Sequence, residues 1–120
     1  MTEPRDLALE ALYEADQRDA IDLPTDLPAK AARLVEGVLT HLAELDREID
    51  AASEHWRVAR MPVVDRAILR LGLYELRHEP ETPRAVVMAE AVRLAKTYST
   101  ERSGAFVNGV LAALAGDART

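Results

Sequence analysis

Three arginines, Arg66, Arg70 and Arg77, recur at i, i+4 and i+11 along the stretch RMPVVDRAILRLGLYELRHEP. At helical spacing they fall within about 40° of one another, with Leu73 among them. Guanidinium groups so arrayed bind carboxylates or phosphates through paired hydrogen bonds. The stripe therefore reads either as a solvated basic face or, around an exposed leucine, as a protein interface; Asp65 adjoins it. Glu75 is the odd carboxylate of this segment, because its helical angle puts it among Val64, Ile68 and Leu71. A carboxylate on an apolar face requires charge-assisted donors, from a neighbouring helix N-terminus or an arginine. Its role is read as structural, since no second acid, histidine or nucleophile is paired with it for catalysis.

A second constellation gathers Arg84, Lys96 and Arg102, with Tyr98, around the ends of one helical segment and the loop after it. With the hydroxyls of Ser99–Ser103, these cations suggest a phosphate site at the N-terminus of the last helix. Phe106 follows closely and reads either as core or as a ring on which a base stacks. Near the N-terminus, Tyr13 lies two turns after Arg5. It reads as a core-edge tyrosine or as a stacking partner for a base. His41, His55 and His78 have no ligand spacing in the sequence and there is no cysteine, so no metal site is expected.

These side chains need rods to position them, and the periodicity supplies helices. Leu7, Ala8, Ala11, Leu12 and Ala15 form one stripe after Pro4. Val35, Val38, Leu42, Leu45, Ile49 and Ala52 predict one long central helix from about Pro28 to Ser53, capped by Thr25 or Asp26. Further helices are expected from Pro62 to about His78, from Thr82–Pro83 onward, and after a cap at Ser99 or Thr100. Asn108–Gly109 would mark a hairpin if strands flanked it. Instead Phe106, Val107, Val110, Leu111 and Leu114 keep helical spacing, with Gly116 as the expected stop. The pair is thus placed inside a helix, Gly109 for close helix approach and Asn108 with a buried hydrogen-bond partner.

The 120 residues suit one all-α domain over 1–120, a compact bundle of about five to six helices. Apolar residues at 48%, no cysteine and no long apolar run point to a cytoplasmic protein away from membranes. The net charge of −6 is uneven: residues 1–56 carry 5 Lys/Arg against 14 Asp/Glu, and residues 57–102 carry 9 against 6. A surface that meets phosphate is therefore expected in the second half.

VVDRAILRLGLYEL (63–76) and AEAVRLAKTYSTERSGAFVNGVL (89–111), with LALEALYEAD (7–16) and DREIDAASEHW (46–56) more weakly, resemble the NusB family of bacterial transcription antitermination factors in order and spacing. The resemblance implies a helical RNA-binding protein without catalysis, metal or cofactor. It implies pairing with NusE, a small-subunit ribosomal protein, on the boxA sequence of nascent ribosomal RNA leaders. The pair then helps RNA polymerase, with other Nus factors, to read through terminators. It places Tyr13 at the family's tyrosine, Asp65 at a NusE contact and Arg102 in a loop close to RNA. Arg5 is what remains of an arginine cluster usual at family N-termini, Ala89 replaces a polar residue, and the small helix expected after the first one is missing from the sequence. RNA-binding residues are accordingly expected at Arg5, Tyr13, Arg84, Lys96, Tyr98, Arg102 and Phe106. Partner-binding residues are expected at Asp65, Arg66, Arg70, Leu73 and Arg77, and structural ones at Glu75, Asn108 and Gly109. Two further readings are the helical RNA-binding domain of a ribosomal-RNA cytosine methyltransferase and a diverged interaction protein with weak RNA binding. The sequence leaves the oligomeric state open, a homodimer through the long helix or the arginine–leucine stripe included.

Overall fold

Proline decides where several helices begin. Pro28, Pro62 and Pro83 occupy the position just before a helix, with φ between −53° and −59° and ψ between 142° and 152°. The missing N–H of proline removes nothing there, because the first amides of a helix have no partner within it. The computed structural model describes residues 3–18, 26–53 and 56–118. Among them lie six α-helices and no strand: α1 (Pro4–Arg18), α2 (Ala29–Thr40), α3 (Leu42–Ala52), α4 (Val63–His78), α5 (Arg84–Tyr98) and α6 (Glu101–Ala118). A short 3-10 turn at Val58–Arg60, not expected from the sequence, leads into α4.

The long helix expected over 28–53 is two helices. The chain bends at His41, whose φ of −104° and ψ of 16° close α2 and open α3. A straight rod of that length would run about 39 Å, and the whole molecule measures 35 × 31 × 27 Å. The bend wraps the chain around the core. It hides from the periodicity because a single residue serves both helix ends, so Leu45 and Ile49 still face inward with Val35 and Val38. Pro28 begins α2 without a side-chain cap, which corrects the expected cap at Asp26. Thr25 and His55 lie outside the described residues, as does the segment between Arg18 and Asp26.

The central rod is α4, which packs against all five other helices. Ten of its sixteen residues are buried, including Asp65, Leu73 and Glu75. It crosses α2 so closely that Gly37 is required: a side chain there would enter the ring of Tyr74. Val87, Ala91 and Leu94 of α5 and Val107 and Leu111 of α6 complete the core. Asn108–Gly109 does lie within α6, as its flanking residues predict. Both residues are exposed, however, and an added Cβ on Gly109 would touch nothing within 4 Å. The expected close packing at Gly109 and buried partner for Asn108 are therefore corrected: the pair sits on the outer face, where helical hydrogen bonds within α6 suffice. Gly116 lies inside α6 and does not end it.

Candidate nucleic-acid and partner surfaces

Two grooves open where α4 begins and α5 turns into α6. One is lined by Trp56, Pro62, Asp65, Ser99, Thr100, Arg102, Ser103 and Phe106. The other is lined by Leu9, Glu10, Tyr13, Glu14, Val64 and Tyr98. Val64 and Asp65 are consecutive, as are Tyr98 and Ser99, so the grooves share a wall.

The floor of the first groove is tied together by hydrogen bonds. Thr100 caps α6, its Oγ1 accepting a hydrogen bond from the Ser103 amide at 3.0 Å. Ser99 Oγ and Ser103 Oγ donate to the two oxygens of Asp65 at 2.8 and 2.9 Å. Asp65 is 2% exposed, so its carboxylate ties the first turn of α4 to the α5–α6 turn. This corrects two expectations. Asp65 is an internal fastener with little surface to offer a partner, and Ser99 and Ser103 direct their hydroxyls inward to a carboxylate, not outward to a phosphate.

The rim of that groove carries two rings and one cation. Trp56 is 46% exposed and meets Phe106 edge-on, with ring centroids 5.7 Å apart. Arg102 is exposed beside them. Lys96, also exposed, runs its stem across Gly104, where a Cβ would stand 3.3 Å from Lys96 Cγ. Arg84 does not join this cluster. It begins α5, whereas Lys96 lies in the last turn of the same helix, about 18 Å away along the axis. Trp56, Arg57 and Arg60 went unmarked by periodicity; the signal available was the chain's one tryptophan in a short polar segment flanked by arginine.

The second groove is acidic and aromatic. Tyr13 is exposed and accepts a hydrogen bond from Gln17 Nε2 at 3.0 Å. Glu10 and Glu14 are exposed around it. Tyr98 donates its hydroxyl to Asp6 at 2.7 Å, and Arg93 donates to the other Asp6 oxygen at 2.7 Å. The Arg93 hydrogen bond, aided by that of Tyr98, holds the Asp6 carboxyl below the usual aspartate range.

The arginine stripe of α4 is internal. Arg66 grips Asp16 through two hydrogen bonds at 2.6 and 2.7 Å. Arg70 grips Asp46 at 2.7 and 2.9 Å and reaches Asp16 at 3.3 Å. Arg77 meets Glu48 at 2.6 Å. These pairs bind α4 to α1 and α3, and Leu73 between them is fully buried. The exposed leucine anchor is thus corrected: α4 is covered on that side by acids of its own chain. Arg5 is also occupied. It is 7% exposed and donates to both oxygens of Glu75, so the two odd charges of the sequence are each other's partner. Its remaining nitrogen lies 3.6 Å from Glu90, which leaves no guanidinium edge for a phosphate. His41 and His78, without ligand spacing along the chain, are brought together with Glu44 by the fold.

The sequence profile of the NusB family matches residues 2–116. The chain is 50% identical over 123 aligned positions to the transcription antitermination protein NusB of Acidothermus cellulolyticus, covering 94% of this chain and 85% of that protein. It is 46% identical to the NusB of Saccharopolyspora erythraea, covering 93% and 84%. The structure of NusB from T. maritima superposes with a TM-score of 0.86 at 33% identity, covering 97% of this chain and 92% of that one. A crystal structure of antitermination factors NusB and NusE in complex with double-stranded RNA matches with a TM-score of 0.83 at 30% identity, covering 95% and 94%.

Proposed function

From the premise that the chain belongs to the NusB family, and is a transcription antitermination factor and not an enzyme, we propose that it acts as one domain binding boxA RNA of nascent ribosomal RNA leaders jointly with NusE. The observation that carries this reading is the pair of grooves with a common wall, one aromatic and cationic, the other aromatic and acidic. Single-stranded RNA is held by rings that stack on bases and by cations that meet phosphates. Trp56, Phe106 and Arg102 supply both in the first groove, and Lys96, against Gly104 of α6, adds a second cation outside its lining. Phosphate is repelled from the second groove by Glu10 and Glu14. Tyr13 and Tyr98 therefore serve the protein partner, whose cationic surface suits that acidic rim. A partner seated there lies next to the RNA groove and extends it, which gives the pair a larger cationic surface than either protein alone. The bound RNA then links the two proteins to RNA polymerase and the other Nus factors.

Arg5, Asp65, Arg66, Arg70, Leu73 and Arg77 act through the fold in this reading, which the ion pairs and burial above support. The matched relatives are antitermination proteins covered over most of their own length, so the methyltransferase reading has no observation in its favour. The test is a titration of labelled boxA RNA with and without NusE. Weak binding alone and a clear gain with partner is the expected result. Tight binding by the lone protein, or no gain on adding NusE, overturns the proposal.

A further inference from the structure

We propose that His41, Glu44 and His78 form a binding site for a divalent transition metal of the zinc type, on the side of the molecule where α2 bends into α3. His41 is the bend residue itself, Glu44 lies in the first turn of α3, and His78 is the last residue of α4. One ligand atom from each lies within 4.8 Å of the other two. Nδ1 of His41 is 3.4 Å from a Glu44 oxygen. The imidazole rings of His41 and His78 stack with centroids 3.9 Å apart and planes 15° apart.

Two imidazoles and one carboxylate are the donor set of an open zinc site, with the fourth position left to water. Imidazole selects zinc and its transition-metal neighbours over magnesium and calcium, which take oxygen ligands. The electrostatics agree with the donors. His78 ends α4, so the negative end of that helix dipole lies beside the Glu44 carboxylate, whereas at His41 the negative end of α2 meets the positive end of α3 and the two offset. The ring of Tyr74, centred 5.4 Å from that of His78, walls the inner side.

Ligand bonds of about 2.0–2.1 Å require donor atoms about 3.3 Å apart in a tetrahedral site. The site must therefore contract, and the stacked rings must turn so that their nitrogen lone pairs converge. His78 and Glu44 are exposed and His41 is partly so, which lets the side chains rotate without disturbing the core. Glu79 is not a ligand: it accepts from Tyr74 and pairs with Arg33. Metal bound here clips the α2–α3 bend to the end of α4, and stabilises the fold by binding the folded chain alone.

The experiment titrates the untagged full chain with Zn2+ by calorimetry, with Co2+ absorption as a second readout of tetrahedral imidazole ligation. One Zn2+ per chain, a visible Co2+ band and a raised melting temperature are expected. His41→Ala and His78→Ala each weaken Zn2+ binding about tenfold or more and abolish the band. Glu44→Gln weakens binding less, and His55→Ala, the remaining histidine, leaves it unchanged. Circular dichroism of each variant confirms that it is folded. No Zn2+ binding by the unaltered chain overturns the proposal. So does binding that survives His78→Ala, or Zn2+ that binds only by joining two chains in sedimentation.

Discussion

Arg5 and Glu75, 70 residues apart in the chain, meet inside the bundle with Nη2 to Oε1 at 2.7 Å and Nε to Oε2 at 2.9 Å. The pair joins the first turn of α1 to the last turns of α4, and neither side chain is more than 9% exposed. Removing one partner leaves the other charged and buried without its counter-ion. Arg5→Ala is expected to cost about 3–5 kcal/mol, read as a lower urea midpoint with an unchanged slope. The double variant Arg5→Met/Glu75→Leu should be less destabilised than either single truncation, because no charge is left stranded. Arg5→Ala with unaltered stability would show that the contact is dispensable.

Gly37 and Gly109 make opposite predictions from the same substitution. Gly37 faces the Tyr74 ring across the α2–α4 crossing, so Gly37→Ala forces one helix away and should cost about 1–3 kcal/mol. Gly109 lies in α6 with open space around it, so Gly109→Ala should stabilise by about 1 kcal/mol through helix propensity alone. Urea unfolding of the two variants side by side checks both signs.

Asp6 makes stability depend on acid. Its carboxyl is held low chiefly by the hydrogen bond from Arg93, and the Asp16 carboxyl is held low likewise by Arg66. A carboxyl depressed in the folded state binds fewer protons there than in the unfolded chain, where its value is about 3.9. The stabilisation is thus fully present above that value and is lost as pH falls from it through the folded value. Asp6→Asn should lower the stability at pH 7 and flatten its fall toward pH 3. An acid limb of unchanged steepness in Asp6→Asn would assign the effect elsewhere.

What periodicity can and cannot carry is visible in α4. Its apolar spacing, and the conflict between Glu75 and the face it occupies, announce a buried helix with a buried charge. The identity of the partner does not follow, because Arg5 looks like any N-terminal cation until the helices are packed. Arg66, Arg70 and Arg77 mislead for the converse reason. A stripe of like charge is identical in sequence whether it faces water or the acids Asp16, Asp46 and Glu48 of other helices. The bend at His41 leaves the apolar phase intact, and the residues flanking Asn108–Gly109 announce its helix but not that the pair lies on the exposed face. Helices are local properties of a sequence, whereas grooves and ion pairs are made by elements far apart in it.

The proposed RNA groove divides its labour between charge and stacking, and salt separates the two. Each phosphate contact to single-stranded nucleic acid contributes about 0.7 to the slope of log affinity against log salt. In the presence of NusE, Arg102→Ala should weaken boxA RNA binding and reduce that slope by about 0.7, with Lys96→Ala acting in the same sense. Trp56→Ala removes a ring that is 46% exposed. It should cost about 1–3 kcal/mol in affinity while leaving the slope unaltered. Arg84 begins α5, far from the Lys96 end of that helix, so Arg84→Ala should change neither quantity and serves as the control for bulk charge. If Arg84→Ala lowers the slope as much as Arg102→Ala does, RNA responds to the overall field of the protein and the groove at the start of α6 has no special part in holding it.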